Sequence, residues 1–176
     1  MRPLLHRFDT SLTGFVTSWP AGLEPFFVVV TTLGLPAITL TIGGIVALFG
    51  VIQTNLRLVF SGLLVWLTLG IGTGIKLLTD RERPLTEYAA TLQSHSFPSG
   101  HTTGSTIAYG LLAYLAWQLL PQPWNYIVTI LLIALILLIG ISRVYLGAHF
   151  PSDVVAGWLL GGIALCIIIF IIKPLA

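Results

Sequence analysis

Residues 102–142 read TTGSTIAYGLLAYLAWQLLPQPWNYIVTILLIALILLIGIS, with no Asp, Glu, Lys or Arg among them. A helix needs roughly 20 apolar residues to cross the hydrocarbon core of a bilayer, and this run is about twice that length. Pro121-Gln122-Pro123 falls in its middle. Proline has no backbone donor and crowds the preceding turn, so a pair of them cannot sit in a helix interior and marks a tight turn. The stretch therefore reads as two antiparallel spans, 102–120 and 124–142, joined by a hairpin.

Composition places the rest of the chain in the same solvent. Hydrophobic residues make up 56% of the 176 and charged residues 8%, and the mean hydropathy is +0.97. A soluble domain carries about 25% charged residues. Working outward, three more stretches are apolar enough to cross: 34–52, 58–78 and 154–172. Residues 9–33, rich in Thr, Ser, Gly and Pro, read as one or two short helices lying at the interface, with Trp19 and the phenylalanines as anchors. The expectation is an all-α polytopic membrane protein: a bundle of five transmembrane helices, or six if 9–33 contributes a crossing. It forms one domain over 1–176, with an interfacial segment at 1–33 and a transmembrane core at 34–176. Arg2 and Arg7 are followed by no apolar h-region, so a cleaved signal peptide is not expected. The net charge of +2 comes without a basic run, which excludes nucleic acid as a partner. Cys166 is the single cysteine and cannot form an internal disulfide.

Ionisable residues in or beside spans are costly and mark function by default. Here they fall into three groups. Lys76, Asp80, Arg81, Glu82 and Arg83 end the span at 58–78. His95, Ser99 and His101 precede the span at 102–120. Arg143 ends the next span, and His149 and Asp153 precede the last. Spans alternate in direction, so all three groups return to one membrane surface. The opposite connections, 53–57 and 121–123, hold one charge between them.

Lys76, Arg83 and Arg143 would thus meet two histidines and a carboxylate. Guanidinium forks and an ammonium suit phosphate oxygens. Pro98-Ser99-Gly100-His101 enters a helix, whose N-terminal amides favour an anion, and Gly100 lets a ligand approach the backbone. Asp153, four residues after His149, can hold one ring nitrogen and leave the other as a nucleophile. His101 is placed to protonate a departing oxygen. Two histidines and an aspartate could also bind zinc, but three cations at the same place oppose a divalent ion, and no acidic cluster suits magnesium. No metal and no cofactor is expected. Asp80 and Arg81 read as solvated loop charges, Arg57 and Lys173 as anchors on the far face, and Gly70, Gly72 and Gly74 as helix-packing positions.

The pattern Lys76-x6-Arg83-Pro84, Pro98-Ser99-Gly100-His101, Ser142-Arg143-x5-His149-x3-Asp153 resembles the tripartite signature of the type-2 phosphatidic acid phosphatase superfamily. That superfamily includes lipid phosphate phosphatases, bacterial undecaprenyl-pyrophosphate and phosphatidylglycerophosphate phosphatases, and vanadium haloperoxidases. The resemblance covers residues 76–153 in motif and the later helices in layout. It implies a membrane hydrolase acting on a lipid phosphate, with undecaprenyl pyrophosphate first, then phosphatidylglycerophosphate or phosphatidate. His149 would form a phosphohistidine, Asp153 would orient it, and His101 would be the acid. Lys76, Arg83, Ser99, Gly100 and Arg143 would hold the phosphate. The same residues would serve a lipid phosphotransferase, and a lipid transporter with an anion site is the non-enzymatic alternative. Members commonly have six spans and an extracytoplasmic site. The expectation here is five spans, with the family's first N-terminal span missing and the N-terminus on the side of the site. Charge does not decide orientation, since Arg2, Arg7 and Arg81 on the site face oppose Arg57 and Lys173. The resemblance implies a site on the extracytoplasmic face of the plasma membrane.

Overall fold

The structure is a computed structural model that describes residues 2–172. Lys173 lies outside the described residues, as does the side chain of Arg2. Among the described residues there are eight α-helices and no strand: α1 (Arg2–Thr17), α2 (Glu24–Leu33), α3 (Pro36–Ile52), α4 (Leu56–Thr79), α5 (Glu87–Ala90), α6 (Gly100–Leu119), α7 (Trp124–Tyr145) and α8 (Pro151–Ile172). A 3-10 turn at Ala21–Leu23 leads into α2.

The proline reading of residues 121–123 holds, and two further prolines open helices. Pro123 is the N-cap of α7, and Pro36 and Pro151 open α3 and α8, where a missing backbone donor costs nothing. Four stretches among the described residues are long and apolar enough to cross a membrane: Ala21–Ile52, Leu56–Thr79, Trp124–Tyr145 and Pro151–Ile171. The remaining long helix, α6, has 20 residues but a more polar sequence. It packs against α3, α4, α7 and α8 at the centre of the bundle. Thr103, Ser105 and Thr106 donate their hydroxyls to carbonyls of the turn before them, at 3.0, 3.1 and 2.7 Å, which satisfies them without water.

Small residues set the close helix contacts, though at other positions than the sequence pattern suggested. A Cβ on Gly161 would lie 2.6 Å from Thr106 Cβ, and one on Gly157 would lie 2.9 Å from the Ser99 carbonyl, so α8 touches the α6 backbone. A Cβ on Gly43 would meet the Gly62 carbonyl at 2.9 Å where α3 crosses α4. Gly70 and Gly74, expected at helix contacts, face nothing within 4 Å, while Gly72 has one contact, with Leu160.

Residues 9–33 form the second half of α1, the 3-10 turn and α2. α1 lays Phe8, Leu12 and Val16 across the cleft between α7 and α8. α2 buries Phe27, Val30 and Thr31 and packs on α7. Its break from α3 occurs at Gly34, where a Cβ would lie 2.6 Å from Ile139 and 3.3 Å from the His101 ring. The ends of α4 and α7 and the starts of α6 and α8 meet at one end of the bundle, where the Ser99 amide donates to the Asp153 carbonyl at 3.0 Å.

Candidate active site

The connection between α7 and α8 delivers His149. The amides of Ala148 and His149 both donate to the Arg143 carbonyl, at 3.0 and 3.1 Å, which folds the chain back over the end of α7. Gly147 makes the bend with φ of +66°, a conformation open to glycine at little cost. Its carbonyl accepts from Thr86 Oγ1 at 2.9 Å. Asp153 sits in the first turn of α8 and accepts the Phe150 amide at 2.9 Å. His149 is 2% exposed and Asp153 is fully buried.

The two ring nitrogens of His149 face different partners. Nδ1 lies 3.6 Å from Asp153 Oδ2 and 3.4 Å from Ser96 Oγ. Ser96 Oγ in turn donates to Asp153 Oδ2. Nε2 lies 3.1 Å from Arg83 Nη1. A guanidinium only donates, so Nε2 is the acceptor and the ring proton is on Nδ1, towards Asp153. Burial pushes the His149 pKa down to about 4, with the charges of Arg143, Arg83 and Lys76 acting in the same sense and the Asp153 hydrogen bond against it. The ring is therefore neutral at pH 7, with its lone pair on Nε2.

Three cations act on that ring, and Arg83 meets its lone pair directly. Arg83 is clamped by Ser94 and Ala148: Nε donates to the Ser94 carbonyl and Nη1 to the Ala148 carbonyl, both at 2.7 Å, and Nη2 donates to Ser94 Oγ at 3.0 Å. Lys76 Nζ donates to the His95 carbonyl at 2.8 Å, so it is held over the site instead of snorkelling away. Arg143 is 1% exposed. Its Nη1 donates to Thr31 Oγ1 at 2.7 Å and faces Tyr88 Oη at 3.4 Å, and its buried Nε has no protein partner.

The first turn of α6 forms the floor. Gly100 lies under Lys76, whose Cε would be 3.9 Å from a Cβ there. His101 is half-buried beside Gly34 and lies within the electrostatic reach of Arg143, His149, Arg83 and Lys76. Ser99 is fully buried as the N-cap of α6, its Oγ accepting from Thr102 Oγ1 at 2.9 Å and the Thr102 amide at 3.4 Å. Its hydroxyl thus acts within the helix cap. Lys76, Arg83, Gly100, His101, Arg143, His149 and Asp153 come together at one end of the bundle, with Ser99 directly beneath.

Residues 57–175 match the sequence profile of the PAP2 superfamily. The chain belongs to the PAP2 superfamily. It is 36% identical over 111 residues to phosphatidylglycerophosphatase B of Bacillus subtilis, covering 60% of this chain and 55% of that protein. It is 40% identical over 67 residues to undecaprenyl-diphosphatase of Sulfolobus acidocaldarius, covering 38% and 29%. The match to lipid A 1-phosphatase of Rhizobium etli is 33% over 116 residues, covering 59% and 42%. The chain spans about half the length, or less, of these curated relatives. Its fold is that of the crystal structure of a transmembrane PAP2-type phosphatidylglycerolphosphate phosphatase from Bacillus subtilis. The TM-score is 0.82 at 24% identity, over 98% of this chain and 88% of that one. Aquifex aeolicus LpxE aligns with a TM-score of 0.66 at 22% identity, over 92% and 94%.

The candidate site also contains residues that the sequence pattern did not single out. Arg81, read as a solvated loop charge, is instead an ion-pair partner of Asp153 Oδ1 at 2.6 Å and of Asp9 Oδ2 at 2.7 Å. The apolar face of α1 brings Asp9 to it, a placement that only tertiary packing reveals. Asp80, its neighbour, is exposed and pairs with His95 Nδ1 at 3.0 Å. Ser96 and Thr31 carry no charge and no motif, yet Ser96 is fully buried against Asp153 and Thr31 nearly so against Arg143. Tyr88 lies with its ring centre 5.5 Å from the Arg143 guanidinium carbon.

Proposed function

We propose that this PAP2 protein is a membrane lipid phosphatase that works through a phosphohistidine on His149. The observation that carries the reading is the pair of faces on the His149 ring. One nitrogen is turned to Asp153 and Ser96, and the other, carrying the lone pair, is turned to Arg83, with the charges of Arg143 and Lys76 acting on the same ring. A binding protein needs the cations but has no use for an oriented, neutral imidazole among them.

In this reading Nε2 attacks the terminal phosphorus and forms the P–N bond while the P–O bond to the leaving group breaks, the lipid alcohol of a monoester or the lipid phosphate of a pyrophosphate. With the negative charge of the bound substrate holding it protonated against the surrounding cations, His101 gives its proton to the departing oxygen. The ring becomes positive, and Asp153 beside Nδ1–H stabilises it. Lys76, Arg83 and Arg143 hold the equatorial oxygens as charge shifts between them. His101, now neutral, then takes a proton from water as the water oxygen attacks phosphorus. The P–N bond breaks and phosphate leaves.

The lipid phosphate stays in the bilayer with its head group at the site end of the bundle. Undecaprenyl pyrophosphate is the first substrate, ahead of phosphatidylglycerophosphate and phosphatidate. Relatives carrying the names undecaprenyl-diphosphatase and phosphatidylglycerophosphatase support a carrier or glycerolipid phosphate. The site faces the extracytoplasmic side of the plasma membrane. The chain acts as one membrane-embedded domain whose first 33 residues line the interface.

The test is phosphate release by purified protein from a panel of these lipids in EDTA, beside His149→Ala. Turnover that depends on His149 is the expected result, and turnover unchanged in His149→Ala would sink the mechanism. A single cysteine placed in residues 86–93 and probed in intact cells with an impermeant thiol reagent tests the face. Labelling is expected, and protection would reverse the orientation.

A further inference from the structure

The phosphoryl-transfer steps leave one buried carboxylate unused. Asp9, on α1, is 3% exposed. A buried carboxylate is costly unless it is paired and hydrogen-bonded, so its partners define its purpose. Oδ1 accepts the backbone amide of Ser152 at 2.9 Å, and Oδ2 accepts Ser152 Oγ at 2.8 Å. The Ser152 amide is one of the first-turn donors of α8, which has no partner within its own helix. A side chain of one helix therefore caps another, one residue before Asp153.

The other partner of Asp9 is Arg81. Nη2 donates to Asp9 Oδ2 at 2.7 Å, while Nη1 donates to Asp153 Oδ1 at 2.6 Å and to Ser152 Oγ at 2.8 Å. The guanidinium carbon sits 4.6 Å over the Phe150 ring, which limits its movement. The fork thus spans two carboxylates from opposite ends of the chain. It holds Asp153 by Oδ1 and leaves Oδ2 for Ser96, the Phe150 amide and the His149 side.

We infer that Asp9 is a positioning residue for phosphoryl transfer: it shares Arg81 with Asp153 and fixes the start of α8, so α1 is a working part of the site. The inference rests on the reading of His149 as nucleophile. Its physical content is a division of charge. While Arg81 is shared, Asp153 keeps negative charge for the ring that turns positive when Nε2 bonds phosphorus. Without Asp9, Arg81 falls to Asp153 alone, neutralises it and draws it from the ring. The substrate's oxygens meet Lys76, Arg83 and Arg143 as before.

Asp9→Asn keeps the shape and removes the charge. On an undecaprenyl pyrophosphate or phosphatidate substrate, kcat falls about tenfold, in the range seen when a group orienting a reactive side chain is lost. KM stays within about twofold, because substrate grip is untouched. Asp9→Glu restores part of kcat. In an Arg81→Gln background, Asp9→Asn has little further effect on kcat, since the Asn Oδ1 still accepts the Ser152 amide and the lost charge acts through that guanidinium. Leu12→Ala, which loosens the apolar docking of α1 but keeps the carboxylate, lowers the thermal midpoint and leaves kcat of the folded protein unchanged. The inference is overturned by kcat in Asp9→Asn equal to wild type, by a rise in KM alone, by additive effects with Arg81→Gln, or by Leu12→Ala reproducing the kcat loss. These results leave the functional reading standing, provided His149→Ala is inactive. A wild-type protein that releases no phosphate from any of the lipids overturns both.

Discussion

Arg83 Nη1 lies 3.1 Å from Nε2 of His149. The contact assigns the ring tautomer, because the guanidinium has no lone pair to offer and Nε2 must supply one. It also puts the two groups that would meet a phosphoryl group, one as electrophilic clamp and one as nucleophile, against each other. A phosphate oxygen entering between them satisfies the guanidinium with a stronger, charged acceptor. That exchange frees the Nε2 lone pair towards phosphorus.

Arg83→Lys follows directly. The fork serves Ser94, Ala148 and the His149 ring at once, which one ammonium on a flexible stem cannot do. kcat/KM is expected to drop about 100-fold, or about 2.7 kcal/mol, the scale of losing one preorganised donor at a developing charge. Steady-state kinetics on a lipid phosphate checks it. A loss of only a few-fold would mean that charge alone suffices at this position.

The second prediction concerns the His149 proton. Burial first, then the nearby cations, depress its pKa to about 4 from an ordinary value near 6.5. The neutral, nucleophilic ring is therefore present from alkaline pH down to about 4, and is lost as pH falls through that value. In protein labelled with 13C at histidine Cε1, the His149 signal is identified by its loss in His149→Gln. It is expected to titrate near pH 4. A midpoint near 6.5 would contradict the burial and the cation field.

The convergence of Lys76, Arg83, His101, Arg143, His149 and Asp153 was legible because it depends on span alternation and a hairpin at Pro121 and Pro123. Both are written in hydropathy and in proline chemistry. Arg81 was misread because a loop arginine beside Asp80, Glu82 and Arg83 resembles a solvated charge run. Its true partners, Asp9 and Asp153, lie 72 residues away on either side. Ser96 and Thr31 were invisible for a related reason. A neutral hydroxyl in a loop or an apolar helix has no signature until folding aims it at a charge. The glycine contacts followed the same rule: Gly43, Gly157 and Gly161 are chosen by helix crossing points, which hydropathy does not set.

Ser96 supplies a third prediction. Its hydroxyl is fully buried, donates to Asp153 Oδ2 and sits 3.4 Å from His149 Nδ1. Ser96→Ala removes one donor from a carboxylate that retains Arg81 and the Phe150 amide, so the fold survives. Orientation of the ring is what suffers. kcat is expected to fall about tenfold, close to 1.4 kcal/mol of barrier, with KM nearly constant. Initial rates across a substrate range separate the two terms, and a change confined to KM would place Ser96 outside the orienting set.

Thr31 gives the fourth. Its Oγ1 accepts Arg143 Nη1 at 2.7 Å, and the guanidinium, 1% exposed with a buried Nε that has no protein partner, has few other acceptors. Thr31→Val keeps the shape of α2 and deletes that acceptor. Hydrogen bonds to charged groups contribute about 1.5–3 kcal/mol, so the thermal midpoint is expected to fall by several degrees. In the proposed mechanism Arg143 holds phosphate oxygens and does no proton transfer, so KM is expected to rise more than kcat falls. Thr31→Ser, which retains the acceptor, should match wild type in both. If Thr31→Val also matches wild type in midpoint and KM, Arg143 is held by the surrounding packing and not by α2, and the link between the N-terminal segment and phosphate binding is lost.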